Sequence, residues 1–476
     1  MTGQHFYLFP TLRAMSSPKA PPTSWAGILR QLGPGLIIAS VIVGSGELIV
    51  TPKLGAQVGF TLLWFIILGC LLKVFIQVEL GRFAVAKGLT TLEALDSIPG
   101  PRWRVSWLVW LWLFMYVALV FQVAGMVGGI AEIFELAGMS LSRKLLGLLV
   151  VAACATLLVT GRYKLVERAS TLMVALFTVC TVIAVGALQG SDFAISAADI
   201  RSGLQFRLPA DFMVAFAAFG IIGVGASELI YYPYWCLEKG YATHVGPRED
   251  TASWRERALG WTRIMRIDAW VSFVIYTGAT VAFYLLGAAV LYGKGLDVEN
   301  VNMIETLSHM YRESFGAWSF AFFLVGAGVV LFSTVFGATA SNARLLADAL
   351  AVFKLKRYQS GEQRMRVIKI GCVVLPFASL LAYIWVEKPV YLVFVGAIAQ
   401  GFMLPFLGLA AVYFRFTRTE KALRPGTLWT TLLILAAAAM VALGSYQVAS
   451  EIRKRLFTTI PTTEVSPESV TNASTP

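Results

Sequence analysis

The sequence predicts an all-α polytopic membrane protein, and three observations lead to this fold class: composition, the length of the apolar runs, and where the charges lie. Of its 476 residues, 57% are hydrophobic and 14% are charged, whereas soluble domains average about half apolar and a quarter charged. About eleven apolar runs approach or exceed the roughly 20 residues that a helix needs to cross a bilayer. Lys and Arg lie mainly between these runs. The pattern excludes a soluble enzyme, a nucleic-acid binder and a transmembrane β-barrel.

Each predicted helix is an apolar run bounded by charged or turn-forming residues. A polar segment, 1–32, comes first and contains no signal peptide, so the first helix itself is expected to start membrane insertion. The membrane domain is predicted over 33–450, followed by a Ser/Thr/Pro-rich tail, 451–476, that is expected to be disordered. The eleven helices are predicted at 35–55, 59–86, 105–136, 144–160, 164–189, 210–236, 268–292, 316–350, 368–386, 389–414 and 427–449.

The distribution of basic residues predicts the orientation in a cell or inner membrane. With the N-terminus in the cytoplasm and eleven helices, cytoplasmic segments hold 27 of the 39 Lys and Arg residues and outer segments hold 11. Because cytoplasmic loops of membrane proteins are enriched in Lys and Arg, the N-terminus is expected inside and the C-terminus outside. The basic segment 238–266 is expected to be an ordinary cytoplasmic loop, with an amphipathic helix on the membrane surface as the alternative.

Neither Cys nor His residues form a pattern typical of a resident cofactor. The five Cys residues lie in or beside apolar runs, without disulfide or metal-site spacing. The three His residues, His5, His244 and His309, fall in tails or loops. A membrane-embedded enzyme would need a nucleophile and base, or metal-ligating His residues, inside the helices. The sequence therefore predicts no enzyme and no cofactor.

An internal repeat singles out the first and sixth predicted helices. The first contains the run Val-Gly-Ser-Gly-Glu-Leu-Ile-Val-Thr-Pro at 43–52, and the sixth contains Val-Gly-Ala-Ser-Glu-Leu-Ile-Tyr-Tyr-Pro at 224–233. The Glu and the Pro coincide in register. Since an odd number of helices per repeat places the copies in opposite orientations, the pattern indicates an inverted-topology transporter whose site lies between two discontinuous helices.

The residues of the two runs suit helices that lose regular geometry inside the membrane. Gly has wide backbone freedom, and Pro52 and Pro233 remove a hydrogen-bond donor and free a carbonyl one turn earlier. Unpaired carbonyls are tolerated at membrane depth only where they line a cavity or are buried in protein. An intramembrane carboxylate beside such a break is a functional-site hypothesis. The sequence therefore predicts a cation site that contains Glu47, Glu228, Gly44, Ser45, Gly46, Gly225 and Ser227.

Three further polar residues lie inside apolar runs, and each has a structural alternative. Lys73 in the second helix is interpreted as a structural or snorkelling side chain, with a permanent counter-charge at the place of a coupling ion as the other interpretation. Glu132 in the third helix has either a proton role or an ion-pair role. Gln400 in the tenth helix is predicted to face the cavity as a further residue of the metal site, with a helix–helix hydrogen bond as the alternative. Glu47 and Glu228 themselves could instead cap their own half-helices.

Several short runs in order along the chain resemble the natural resistance-associated macrophage protein (NRAMP) divalent-metal transporters. They lie at 33–36 (Gly-Pro-Gly-Leu), 59–64 (Gly-Phe-Thr-Leu-Leu-Trp), 130–132 (Ile-Ala-Glu), 220–223 (Gly-Ile-Ile-Gly) and 404–406 (Leu-Pro-Phe). The resemblance implies the LeuT-type fold: two inverted five-helix repeats, about 33–190 and 208–415, an eleventh helix, and unwound first and sixth helices.

The departures from this family bear on the choice of ion. The family's Asp-Pro-Gly-Asn is replaced by Gly44-Ser45-Gly46-Glu47, and its Met-Pro-His by Ser227-Glu228-Leu229. Thioether sulfur favours softer metals, whereas carboxylate, carbonyl and hydroxyl oxygens favour Mg²⁺ and Mn²⁺. Lost acidic and His positions also remove groups that family members use for protons. The resemblance thus implies alternating-access transport of a hard divalent cation, Mg²⁺ or Mn²⁺, with weak or absent proton coupling.

An organic substrate is the alternative function. The same fold could carry an organic cation or amino acid, held against an aromatic wall. In either case the expected partners are the small substrate and the lipid bilayer, and no nucleic acid; the oligomeric state is left open. The residues of this wall are Tyr231, Tyr232, Tyr234 and Trp235.

Overall fold

The computed structural model describes residues 18–160, 163–209, 212–299 and 302–458, and this part of the chain is almost entirely helical. Ten helices in these ranges are long and apolar enough to cross a membrane. An eleventh, Arg143–Val159, has 17 residues, at the lower end of the range of about 17–25 that suffices. The predicted all-α polytopic architecture is therefore confirmed.

The membrane-crossing helices follow the predicted order, and two of them are broken. We number all α-helices along the chain and use "span" for each predicted membrane crossing. The short helices between spans are α1 Trp25–Gln31, α5 Thr91–Asp96, α9 Ala197–Gly203, α12 Tyr241–Val245 and α14 Met303–Phe315, and a β-ribbon pairs Arg102–Trp103 with Val105–Ser106. The spans are span 1 (α2 Pro34–Ile42 and α3 Thr51–Val58), span 2 (α4 Leu63–Lys87), span 3 (α6 Trp107–Leu136), span 4 (α7 Arg143–Val159), span 5 (α8 Tyr163–Ala187), span 6 (α10 Met213–Ile221 and α11 Ala226–Glu238), span 7 (α13 Ala252–Leu286), span 8 (α15 Ser319–Val352), span 9 (α16 Gly361–Val386), span 10 (α17 Pro389–Tyr413) and span 11 (α18 Thr427–Thr458).

Helix packing follows the repeat. Span 2 packs against span 7, and span 3 packs against span 8, so each pair joins corresponding helices of the two five-helix repeats. The first half of span 1 packs against the second half of span 6, and span 3 lies along span 10. This arrangement brings the two broken helices together in the centre of the molecule.

Span 7 begins earlier than the sequence indicated. Its helix starts at Ala252 rather than 268, so much of the predicted loop 238–266 is helical. Trp254 and Trp261 are buried in the protein, and the Trp261 indole donates a hydrogen bond to the Lys19 carbonyl at 2.9 Å. These tryptophans therefore pack against the protein rather than lying on a membrane surface.

The ends of the chain extend beyond the described part. Span 11 continues as a helix to Thr458, past the predicted end of the membrane domain at 450. The remainder of the tail predicted over 451–476, from 459 onward, lies outside the described residues, as do 1–17 of the predicted N-terminal segment and Arg162 of the charge count.

A carboxylate from span 7 caps the start of span 1. Pro34 at the first helical position has no N–H, and the neighbouring N–H groups of Gly33 and Gly35 donate to Asp268 Oδ1 at 2.9 Å and Oδ2 at 2.5 Å. The Tyr232 hydroxyl in α11 lies 3.1 Å from Oδ2. A Cβ at Gly35 would lie 2.5 Å from the Asp268 carbonyl oxygen, so this approach requires Gly. Asp268 thus ties α2 to spans 6 and 7.

Candidate metal site

The break in span 1 is a tight turn at Val43. Val43 has φ −67° and ψ 74°, an inverse γ-turn geometry, and the Gly44 N–H donates to the Ile42 carbonyl at 2.6 Å. A Cβ at Gly44 would lie 2.0 Å from Thr334 Oγ1 of span 8, so only Gly fits there. The chain resumes as a π-helical segment, Gly46–Val50, that leads into α3. The predicted break is present where the Gly-rich run placed it.

The break in span 6 is longer. After α10, Ile222 is extended with φ −66° and ψ 133°, and Gly223 has φ 61°, in the left-handed region that favours Gly. Gly225 is extended, and α11 starts at Ala226. Residues 222–225 therefore separate two half-helices, as the repeat predicted.

Glu47 connects the two breaks directly. Its side chain is fully buried. Its Oε1 accepts a hydrogen bond from the Gly223 N–H at 2.9 Å, and the hydroxyl of Thr280 in span 7 lies 3.0 Å away. Its Oε2 has no hydrogen-bond partner among the described residues. Glu47 therefore does not merely cap its own half-helix, because it binds the backbone of the opposite break.

Two glutamines complete a second connection between the breaks. The Ser227 N–H and hydroxyl both donate to Gln400 Oε1 at 2.9 Å. Gln400 Nε2 donates to Gln122 Oε1 at 2.8 Å, and Gln122 Nε2 donates to Ser45 Oγ at 3.2 Å. This chain joins Ser45 of span 1 to Ser227 of span 6 through spans 3 and 10. All four side chains are buried.

Glu228 lies in the first turn of α11 and is partly exposed. A Cβ at Gly225 would lie 2.5 Å from Glu228 Oε2 and 2.6 Å from Gln400 Oε1, so the Glu228 carboxylate lies beside the glutamine chain. Glu47 and Glu228 are close enough to interact electrostatically with each other and with Lys73. The centre thus carries two carboxylates and one ammonium group.

The residues of the predicted cation site make different kinds of contact at this centre. Ser45, Ser227 and Gln400 share one hydrogen-bonded chain, and Glu47 crosses from one break to the other. The carbonyls of Gly44, Gly46 and Gly225 each accept a hydrogen bond from the chain downstream. Among the described residues, no three His, Cys, Asp or Glu side chains gather as a metal cluster. Two carboxylates with hydroxyl and amide groups can hold a cation that keeps some of its water.

Glu132 contacts the backbone at the start of α14, and Lys73 contacts the backbone where span 6 breaks. Glu132 Oε1 accepts a hydrogen bond from the Ile304 N–H at 2.8 Å, at the start of α14. Lys73 Nζ donates to the carbonyls of Phe219 and Ile222 at the end of α10. Lys73 therefore neither snorkels nor forms a salt bridge with any residue in the described ranges.

Sequence reasoning missed Gln122, Thr280 and Asp268. Gln122 is an isolated polar residue in the apolar run of span 3, a signal that could have identified it. Thr280 gave no such signal, since a Thr in a membrane helix commonly bonds to a carbonyl of the preceding turn. Asp268 is the first residue of the predicted seventh helix, and a carboxylate is common at the start of a helix.

Comparison with known proteins assigns this architecture to a class. The sequence profile of the Natural resistance-associated macrophage protein-like family matches residues 35–450. A mutant of the Eremococcus coleocola manganese transporter superposes with a TM-score of 0.66 at 14% identity, covering 94% of this chain and 92% of that chain. Mhp1, a nucleobase-cation-symport-1 family transporter, gives a TM-score of 0.52 at 16% identity, covering 93% and 96%. The fold is therefore the predicted LeuT type, and the protein is a multi-pass membrane transporter, not an enzyme.

The chain belongs to the Natural resistance-associated macrophage protein-like (NRAMP) family, as its motifs predicted. It is similar to the uncharacterized protein PM0681 of Pasteurella multocida, with 25% identity over 374 residues, 75% of this chain and 78% of the relative. It is also similar to the divalent metal cation transporter MntH of Mycobacterium tuberculosis H37Rv, with 26% identity over 310 residues, 64% of this chain and 66% of the relative.

Proposed function

We propose that this protein carries a divalent metal cation across the membrane by alternating access around the two broken helices. The observation that carries this proposal is the position of Glu47: a buried carboxylate from one break is held by the backbone of the other break, and its second oxygen has no hydrogen-bond partner within the described ranges. A buried charge is costly unless it is paired, and a bound cation would supply the missing partner. The relative MntH is named a divalent metal cation transporter.

The available ligands favour a hard ion, Mg²⁺ or Mn²⁺. Glu47 Oε2 and the Glu228 carboxylate supply charge, and the hydroxyl oxygens of Ser45 and Ser227 retain lone pairs that could accept a cation or its water. All are oxygen ligands, which suit hard cations, and Mg²⁺ commonly keeps several waters. We assign Gln400 an orienting role, because its oxygen already accepts both Ser227 donors. The metal is the substrate, and no cofactor is required.

Proton coupling is proposed to be weak or absent. Glu132, one candidate for a proton role, is engaged by the α14 backbone through Oε1. Gly44 and Leu229 stand where the family has the Asp and the His that its members use for protons. We therefore expect divalent flux to proceed without a proton gradient.

The alternative, an organic cation or amino acid held on an aromatic wall, has less support. The Tyr231 hydroxyl donates to Asn342 Oδ1 at 2.7 Å, and the Tyr232 hydroxyl lies 2.8 Å from the Met265 carbonyl. The guanidinium of Arg344 lies over the Trp235 ring at 4.9 Å. The four aromatic side chains of the predicted wall are all buried and pack within the protein, which leaves little ring surface for an organic substrate.

We propose that the N-terminus faces the cytoplasm and the C-terminus the outside. Segments assigned to the cytoplasm contact one another: Arg344 pairs with Glu238 at 2.6 Å, and Arg248 pairs with Glu420 at 2.5 Å. Segments assigned to the outside pair separately, as Lys53 does with Asp297 at 2.8 Å. This separation supports the alternation of the spans, and the excess of basic residues on the first group supports its cytoplasmic side.

Flux into proteoliposomes tests the function. Purified wild-type protein should take up Mn²⁺ or Mg²⁺ in preference to amino acids, with little change when a pH gradient is imposed. Glu47→Gln and Glu228→Gln should each lower uptake strongly, because each removes one ligand charge. Glu313→Gln is the matched control, since Glu313 pairs with Lys294 away from the site. Divalent uptake that both site variants leave intact would refute the proposed site.

A further inference from the structure

Lys73 is the cationic side chain buried deepest in the described part of the chain. It lies in the middle of span 2 and has no exposed surface. Its ammonium donates to the Ile222 carbonyl at 2.7 Å and to the Phe219 carbonyl. It also lies 4.6 Å from the centre of the Phe219 ring. A buried charge of this kind needs a specific reason, because transferring it from water is expensive.

The acceptors of Lys73 belong to the end of a half-helix. Phe219 is in the last turn of α10, and Ile222 is the first residue of the unwound segment. The last carbonyls of any helix lack intrahelical donors and carry partial negative charge. In transporters with broken helices, carbonyls of this kind coordinate the coupling cation. The position filled by the Lys73 ammonium is therefore chemically a monovalent-cation position.

The same ammonium also balances the charge of the proposed site. In the described ranges Lys73 forms no salt bridge, yet Glu47 and Glu228 both act on it electrostatically. Glu47 holds the Gly223 N–H, one residue after the Ile222 carbonyl that Lys73 holds. The unwound segment is thus clamped by an anion from span 1 and a cation from span 2.

We propose that the Lys73 ammonium is a tethered substitute for a coupling cation: it occupies the carbonyl site at the end of α10 permanently, so that transport needs no added monovalent cation. This rests on the proposed function as far as divalent flux is concerned. A tethered cation cannot be released to either side, so no gradient of that cation can drive transport. The fixed ammonium also lies close enough to act electrostatically on the two carboxylates at which the divalent ion is proposed to bind.

The test removes the Lys73 ammonium by substitution and then adds a monovalent cation to the solution. Lys73→Met removes the ammonium with little change in length, whereas Lys73→Gln removes the charge and keeps a hydrogen-bond donor. Lys294→Met is the control, since Lys294 lies near the surface beside Glu313. Each full-length protein is measured in choline, sodium and methylammonium salts, by thermal unfolding and by Mn²⁺ uptake into proteoliposomes.

We expect wild-type protein and Lys294→Met to behave alike in the three salts. Lys73→Met and Lys73→Gln should lose about tenfold or more of their uptake in choline, since a difference of 1.4 kcal/mol is already tenfold. Sodium or methylammonium should restore part of that uptake and raise the unfolding temperature of both variants. If the two variants fold in sodium or methylammonium but not in choline, that result also supports the proposal.

Three results would overturn the proposal. The first is wild-type uptake by Lys73→Gln in choline, which would mean that a donor suffices. The second is wild-type uptake by Lys73→Met in choline. The third is that neither sodium nor methylammonium alters the uptake or the unfolding temperature of the two variants, which includes the case that the variants fold in none of the three salts. If wild-type protein moves no divalent cation, the proposed function fails, and the unfolding measurements still decide the role of Lys73.

Discussion

The Asp268 cap controls how easily the first half of span 1 separates from the rest of the protein. Its two oxygens accept from the N–H groups of Gly33 and Gly35 at 2.9 and 2.5 Å, and the side chain is buried. Alternating access in this fold moves one repeat or helix bundle against the other around the site, and a cap that joins α2 to span 7 resists such a movement. We therefore predict that Asp268→Asn destabilises the packed position of α2.

The expected size follows from the two bonds. An Asn side chain keeps one acceptor and presents an NH₂ group to the other N–H, so one charge-assisted bond is lost and two donors face each other. Hydrogen bonds to charged groups contribute about 1.5–3 kcal/mol, and a buried unsatisfied group costs about 1–3 kcal/mol. The lower ends of these two ranges add to about 2.5 kcal/mol, which corresponds to a change of about 70-fold or more in the opening equilibrium.

Hydrogen–deuterium exchange measures this opening. The amides of residues 37–42 in α2 should exchange faster in Asp268→Asn by the stated factor, because exchange from a locally opened state reports its population. Asp297→Asn is the matched control, since Asp297 pairs with Lys53 of α3 at 2.8 Å and is 42% exposed. Exposed ion pairs contribute about 0–1 kcal/mol. Unchanged exchange in α2 of a folded Asp268→Asn protein would refute the reasoning.

Three further predictions concern other contacts. Gly44→Ala should destabilise the protein by about 1–3 kcal/mol and lower uptake, because its Cβ would overlap Thr334; adding Thr334→Ala should recover part of the unfolding temperature. Glu132→Ala should speed amide exchange at the start of α14 about fivefold or more through loss of a cap worth about 1 kcal/mol or more. Glu132→Gln, which keeps an acceptor at Ile304, should have a smaller effect. Burial and, secondarily, Lys19 lower the pKa of His244. At a pH near the ordinary His pKa the unfolded chain therefore binds more protons than the folded protein, and stability should fall as the pH falls below about 6.5. The loss of unfolding temperature between neutral and acidic pH should be smaller in His244→Phe.

The sequence predicted the fold and the two breaks because their causes are local. Gly44 and Gly223 adopt geometries that other residues resist, and a Glu in equivalent register near a Pro marks both copies of the repeat. The start of span 7 was placed too late, since the charged residues after Ala252 have the composition of a loop. Their helix is stabilised by packing of Trp254 and Trp261, which no local pattern reveals.

The partners of the predicted site residues could not be predicted, because they come from distant helices. The Gly223 N–H that binds Glu47 is 176 positions away, and the Gln400 amide that binds Gln122 is 278 positions away. Predicting such pairs requires the position of each helix along its axis to within a fraction of a turn. Helix boundaries predicted from sequence carry errors of about 2–4 residues, which is too coarse. The sequence could therefore name several polar residues of the centre, though not Gln122 or Thr280, and could not show which residue binds which.

The proposed ion site and the unwound segment of span 6 share the Glu47 carboxylate. The unwound segment of span 6 is held at the Ile222 carbonyl by Lys73 and at the Gly223 N–H by Glu47. A divalent ion at Glu47 Oε2 would draw on the charge of the carboxylate whose other oxygen holds that N–H, and so would change the strength of this contact. Since a ligand shifts a conformational equilibrium only through different affinities for the two states, a shared carboxylate of this kind is a direct route from ion binding to movement of the half-helices.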